Sequence, residues 1–319
     1  MDFSLHKAEI HQAERQERKG RRFIAFAVLA AIAIIAAAWF ALLGFLGTNS
    51  AYGTLDDLRE RWIPDTDTMV LDLPDLSRLS EVYTADGVLL GKLTERNSQP
   101  LALDDMPELV VGAVLAAEDA DYMSHVGIDH AAIIRAFVSN SQGGATQGGS
   151  TITQQVVKQN FIGTEPTLER KISEAAIAME LEDRYTKEQI LEFYLNSVYF
   201  GWNAYGIQAA AQEYFGKQLD QLTVAEAASI PVPIRNPSLY DLRRDSEIPL
   251  RARNRVIDEM LEEEYITEAE AAAARAEPLI TVQHQEFQEL APQVLIAAKE
   301  AVLNDPLFGL GPSYLQRKR

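Results

Sequence analysis

Between Phe23 and Gly47 the chain reads FIAFAVLAAIAIIAAAWFALLGFLG, 25 residues without one charge. As a helix this run reaches roughly 37 Å, against about 30 Å of bilayer hydrocarbon. It predicts a membrane-crossing anchor with some tilt. A cleaved signal peptide and a buried core helix are the alternatives, but a signal core is only about 7–15 residues long. Arg18, Lys19, Arg21 and Arg22 flank the run on one side and TNSAYGTLDDLRE on the other. The positive-inside rule therefore predicts a cytoplasmic tail over 1–22 and an extracytoplasmic remainder.

Beyond the anchor the periodicity changes twice. Residues 48–79 read as a juxtamembrane connector. Short alternating runs come next, among them EVYTADGVLLGKL, with Asp86-Gly87 as a hairpin signal. From Pro107 onward apolar positions recur at helical spacing. The expected helices lie near 106–119, 130–140, 150–160, 168–184, 187–199, 205–214, 223–230, 249–264 and 268–276. Three of them open on a capping box, at Thr186 with Gln189, Thr223 with Glu226 and Thr267 with Glu270. SQGGATQGG, residues 141–149, predicts a flexible glycine-rich loop. The fold class expected is mainly α with a small β element and one N-terminal transmembrane helix. A main domain over 80–280 would be followed by a linker over 281–319.

Charge and composition narrow the function. The formal net charge is -18, although residues 1–22 carry six Lys/Arg against four Asp/Glu, so the region after the anchor is strongly acidic. Such a region is a poor partner for nucleic acid, which needs clustered cations. With zero cysteines, a disulfide framework, a thiolate metal site and a cysteine nucleophile are all excluded.

Candidate chemistry sits in five segments. Glu118-Asp119, with Tyr122, His125 and Gly127 close behind, ends the apolar helix PELVVGAVLAAE. A carboxylate at such a rim can be partly desolvated into a stronger base; a solvated helix end is the plainer reading, though acidic residues there oppose the helix dipole. QGGSTITQQVVKQ (147–159) suggests a phosphate cradle, but Gly149 stands where a nucleotide P-loop needs lysine, and a helix precedes it where a strand is required. What survives is a generic anion site at a helix N-terminus, or a plain connector. In TLERKISEAAIAMELE (167–182), Arg170 and Lys171 share a helix face with Glu174. A surface ion-pair ladder is the simpler reading by spacing alone; with Lys158 these cations also suit a doubly charged pyrophosphate. KEQILEFYLNSVYFG (187–201) and LTVAEAASIPVPIRNPSLYD (222–241) read as core that holds the site.

In order and content these five segments resemble the peptidoglycan glycosyltransferase family, the polymerase module of class A penicillin-binding proteins and of monofunctional transglycosylases. The family patterns E-D-x-x-F-x-x-H-x-G, G-G-S-T-I-T-Q-Q, R-K-x-x-E, I-L-E-x-Y-L-N and A-E-A-A occur here in sequence, over roughly residues 80–280. The resemblance implies a lysozyme-like fold with a membrane-embedded jaw, acting on lipid II and a growing glycan strand at the bilayer, with other wall-synthesis or division proteins as possible partners. Carried over by position, Glu118 is the base and Glu174 a second catalytic carboxylate that orients the cations or holds a divalent ion such as Mg²⁺. Asp119, His125, Ser150, Gln154, Lys158, Arg170, Lys171, Asn196 and Glu226 would bind substrate. Tyr122 replaces the family's usual Phe, Met123 and Ser124 fall at variable positions, and Pro231-Val232-Pro233 departs from the small residues usual after A-E-A-A.

The stretch 251–311 is similar to the region C-terminal to the polymerase module in bifunctional relatives. The single S-x-x-K, Ser4 to Lys7, lies in the tail, and there is no K-T-G, so no transpeptidase is expected in this chain. A class A protein cut short before that domain, or a monofunctional enzyme with an extension, are the two expectations. A lysozyme-like glycan hydrolase and a non-catalytic membrane scaffold of the wall-building machinery are the competing functions.

Overall fold

The computed structural model describes residues 69–76, 81–92, 96–129, 149–163, 165, 167–244, 247–283 and 291–304. All belong to the compact unit Thr66–Arg319. The expected anchor, the tail, most of the connector, the helix over 130–140 and nearly all of the glycine-rich loop lie outside the described residues. Among those described, no helix is long and apolar enough to cross a membrane.

The described fold is mainly helical with two small sheets. Strands β1 (Glu81–Tyr83) and β2 (Leu89–Lys92) form the antiparallel hairpin that Asp86-Gly87 predicted. Gly87 takes φ 85°, and its N–H donates to Thr84 O at 3.0 Å. The second sheet was not foreseen. It has the order β3–β5–β4, with β3 (Asn97–Ser98) parallel to β5 (Ala204–Tyr205) and β4 (Tyr199–Gly201) antiparallel to it.

The helices follow the apolar periodicity closely. They are α1 (Glu108–Glu118), α2 (Ile152–Asn160), α3 (Leu168–Arg184), α4 (Lys187–Ser197), α5 (Ile207–Phe215), α6 (Val224–Ser229), α7 (Glu247–Glu262) and α8 (Glu268–Ala276). The three expected capping boxes form, and a fourth joins Thr151 to Gln154 at the start of α2. The helices expected at 187–199 and 205–214 are cut back where they face each other because Val198 leaves the helical region at φ -64°, ψ 143°, and the residues between are drawn into the β4–β5 pairing. A ninth helix, α9 (Pro292–Asn304), occupies part of the expected linker and lays Leu295 against Gly91 of the hairpin.

Helix α1 is the centre of the fold. Val110, Gly112, Ala113, Val114, Leu115 and Ala116 are buried, and α1 packs on α6 and α7, while α2 packs on α3 and α4. Arg253, only 1% exposed, ties α7 to the end of α8 by donating to Glu277 O at 2.7 Å. That bond satisfies a helix-end carbonyl that burial would otherwise strand.

Candidate active site

The site begins where α1 ends. Asp119 leaves the helix at φ -165°, and its Oδ2 accepts the N–H of Ile152, the first residue of α2, at 2.8 Å. A carboxylate there satisfies an orphan donor and complements the helix dipole. His125 Nε2 lies 3.0 and 3.2 Å from the two Asp119 oxygens. Lys187 Nζ, 3.4 Å from Nδ1, can only donate, which leaves the ring proton on Nε2 for Asp119. The Tyr122 hydroxyl, absent from the family's usual Phe, donates to Lys187 O at 2.8 Å. Burial foremost pushes its pKa well up, so it stays a neutral donor. Asp119 and His125 therefore lock α1, α2 and α4 together behind the site, with side chains 4% and 8% exposed.

Helix α2 carries the next layer. Thr151 Oγ1 donates to Gly127 O at 2.6 Å and accepts from Gln154 N, while Gln154 Oε1 accepts from Thr151 N. Gln154 is 2% exposed and is spent on the cap. Its neighbour Gln155 is the residue that reaches Glu118, with Nε2 donating to Oε2 at 2.7 Å. Tyr194 on α4 donates its hydroxyl to Gln155 Oε1 at 3.1 Å, which fixes the amide so that its NH₂ faces the carboxylate. Lys158 stands one turn further along the same face of α2.

Glu118 has a side chain 7% exposed, and Arg235 Nε is 3.9 Å from its Oε1. Its pKa is raised, chiefly by burial; Gln155, Arg235 and Lys158 pull it back, and Asp119 adds to the rise. A base of this kind is stronger than a solvated carboxylate yet can still ionise.

A second cluster lies at the start of α3. Arg170 and Lys171 each donate to a different oxygen of Glu174, itself 1% exposed. Lys171 also donates to Ser150 Oγ at 2.9 Å. Ser150 and Gln155 belong to one short stretch, so this cluster and the Glu118 carboxylate meet the same segment about 10 Å apart along it. A divalent ion does not fit at Glu174: both oxygens are taken by cations, and among the described residues no group of three or more His, Cys, Asp or Glu gathers to hold one.

Asn196 and Glu226, like Asp119, His125 and Gln154, are engaged in bonds within the scaffold. Asn196, 2% exposed, accepts from Leu101 N at 2.9 Å and donates to Leu101 O and Glu192 O at 2.8 and 2.9 Å. It fastens α4 to the chain leaving β3. Glu226 completes the cap of α6 and binds Lys217 Nζ through both oxygens at 2.7 Å. Gln155, Tyr194 and Arg235 were missed by the sequence reading. A signal for Gln155 existed: the T-x-x-Q box at Thr151 assigns Gln154 to the cap.

A mainly helical fold thus holds a buried, ionisable carboxylate at the end of α1 and a cation pair at the start of α3. The family model described as Transglycosylase matches residues 86–261, and the chain belongs to that family. Its relatives include penicillin-binding protein 1A of Haemophilus influenzae, 43% identical over 215 residues, covering 66% of this chain and 25% of that protein. Penicillin-binding protein 1A of Escherichia coli K12 is 38% identical over 257 residues, covering 79% and 29%. The crystal structure of the Haemophilus influenzae protein aligns with a TM-score of 0.42 at 26% identity, covering 73% of this chain and 25% of that one. The chain spans about a quarter of the length of the curated relatives it matches.

Proposed function

We propose that this chain is a peptidoglycan glycosyltransferase that polymerises lipid II into β-1,4-linked glycan strands for the cell wall. The observation that carries the reading is the state of Glu118: buried, held on Oε2 by Gln155, and with Oε1 beyond hydrogen-bond reach of Arg235.

In the reaction, Glu118 removes the proton of the acceptor sugar's 4-hydroxyl as that oxygen attacks the anomeric carbon of the donor. The carbon–oxygen bond to the lipid pyrophosphate breaks, and a single in-line displacement inverts the configuration. Charge accumulates on the departing pyrophosphate and is met by Lys158, Arg170 and Lys171, with Ser150 holding Lys171 in place. Fixed cations act there without reorganisation as the charge develops. Glu174 keeps Arg170 and Lys171 side by side despite their mutual repulsion. No step passes through a metal, and a divalent ion at Glu174 would first have to displace one of these cations.

The apolar run 23–47 anchors the enzyme at the bilayer where its lipid-linked substrate resides, with residues 80–280 outside the cytoplasm as a lysozyme-like catalytic domain. Cysteine labelling of single-cysteine variants on either side of the run, in intact cells and after permeabilisation, tests that topology. The activity is tested by incubating the detergent-solubilised chain with lipid II and resolving products by gel. General-base catalysis contributes about 10²–10⁴-fold, so Glu118→Gln should lose at least about a hundredfold of glycan formation. Wild-type activity equal to that of the variant would sink the reading. Release of short muropeptides from mature wall would make the chain a hydrolase.

A further inference from the structure

Behind Glu118 lies a cavity of about 40 Å³, bounded by the end of α1, by α7 and by the 3-10 turn Val232–Ile234. It is too small for a sugar ring, since one water alone needs about 10–15 Å³. Its charged lining is two carboxylates and two guanidiniums, Glu118, Glu259, Arg235 and Arg255, set among Tyr240 and apolar side chains. Arg235 touches α1 twice over: its Nη2 is 3.5 Å from Ala117 O, and its Nε faces the Glu118 oxygen that Gln155 does not hold.

We propose that Arg235 and Glu259 are a positioning pair for Glu118, Arg235 orienting the base from the cavity side and Glu259 competing with it for Arg235. The proposal rests on the reading of Glu118 as the general base. Gln155 and Arg235 flank different oxygens of one carboxylate, so its plane is set from both sides. Arg235 and Glu259 line the same cavity, so charge on Glu259 pulls on the cation that faces Glu118.

The groups facing Glu118 are Asp119 at its own helix end, Gln155 and Lys158 from α2, Tyr194 from α4, Arg235 from the turn, and Arg255 and Glu259 from α7. Glu259 is pushed up to about 7, mainly by burial; Arg235 and Arg255 oppose the rise, and the Glu118 and Asp258 charges add to it. As Glu259 acquires charge near pH 7, it competes across the cavity for Arg235, which otherwise faces the base alone.

The test is the pH profile of kcat/KM on lipid II for the full chain, paired with carboxyl NMR of the ¹³C-glutamate-labelled protein in detergent. Wild type should show an inflection near pH 7 that Glu259→Gln abolishes. Arg235→Gln should move the acid limb and the Glu118 resonance to higher pH, because a stabilising cation is gone, and Arg235→Lys should move them part of the way back. An inflection that survives Glu259→Gln, or an acid limb that Arg235→Gln leaves in place, overturns the pair. If the chain makes no glycan at all, the reading of the function fails and the carboxyl resonances decide the pair alone: a Glu118 midpoint unmoved by Arg235→Gln refutes it.

Discussion

Gly127→Ala offers a test of how the turn carrying Asp119 and His125 is seated. Gly127 has φ 68°, and a Cβ built on it would lie 2.7 Å from Met179 N and 2.9 Å from Ala178 C. Those atoms are backbone of α3 and cannot rotate aside. The left-handed conformation costs an alanine about 1–2 kcal/mol, and forcing an extra carbon into packed structure about 1–3 kcal/mol more. The expected loss is thus about 2–5 kcal/mol, or roughly 6–12 °C in Tm for a 3 kcal/mol loss in a unit of this size. Gly87→Ala is the control, because Gly87 also has positive φ, 85°, but nothing stands within 4 Å of its Cβ position. It should lose only the conformational part, about 1–2 kcal/mol. Thermal unfolding of both variants in detergent, followed by circular dichroism at one pH, separates the two costs. Equal losses would refute the claim that α3 backbone closes on Gly127.

The same geometry leads to four further outcomes. Glu118 has a folded pKa above its ordinary value of 4.5, so its burial carries no ionisation penalty while both states are protonated. Stability is then lost as pH rises through 4.5 toward the folded value. Glu118→Gln should therefore be more stable than wild type at pH 8 while matching it in acid, as urea titrations at two pH values would reveal. Tyr194→Phe frees the Gln155 amide to turn, and loss of one hydrogen bond of about 1 kcal/mol predicts about a fivefold drop in kcat; an unchanged kcat would argue against the relay. Asn196→Ala strands the Leu101 N–H and C=O and should cost about 2–4 kcal/mol of stability, measured by denaturant midpoint, with little change in KM. Lys171→Met removes a charge-assisted contact and should lower kcat/KM on lipid II by about tenfold or more; a change under about twofold would take Lys171 out of the leaving-group site.

Much of the scaffold was legible because its rules are local. The α3 bounds 168–184 were readable from apolar spacing, and the α8 bounds 268–276 from spacing and the Thr267 capping box, which needs only four consecutive residues. Gly87 was readable for the same reason. The β3–β5 pairing was not, because strands of two residues carry no alternation and their partners lie more than a hundred positions apart. Helix α9 escaped because Leu295 is its one fully buried hydrophobic among the described residues, too little to stamp a helical period on the sequence.

For the site, the amino-acid order by itself determined the types of group on hand: a carboxylate at the end of an apolar helix, and two cations spaced to share a face with Glu174. It could not determine which side chains meet Glu118. Gln155, Tyr194 and Arg235 come from elements that approach only when α2, α4 and the Val232–Ile234 turn pack around the end of α1. Helix phase made Gln155 the contact and left Gln154 to the cap. Asn196 was drawn into bonds with the Leu101 backbone, and Glu226, besides its own helix cap, into an ion pair with Lys217. Local propensity acts through bonds a few residues long, whereas the strength of a base depends on how much water is shut out and which charges remain nearby; only the closed tertiary structure decides those.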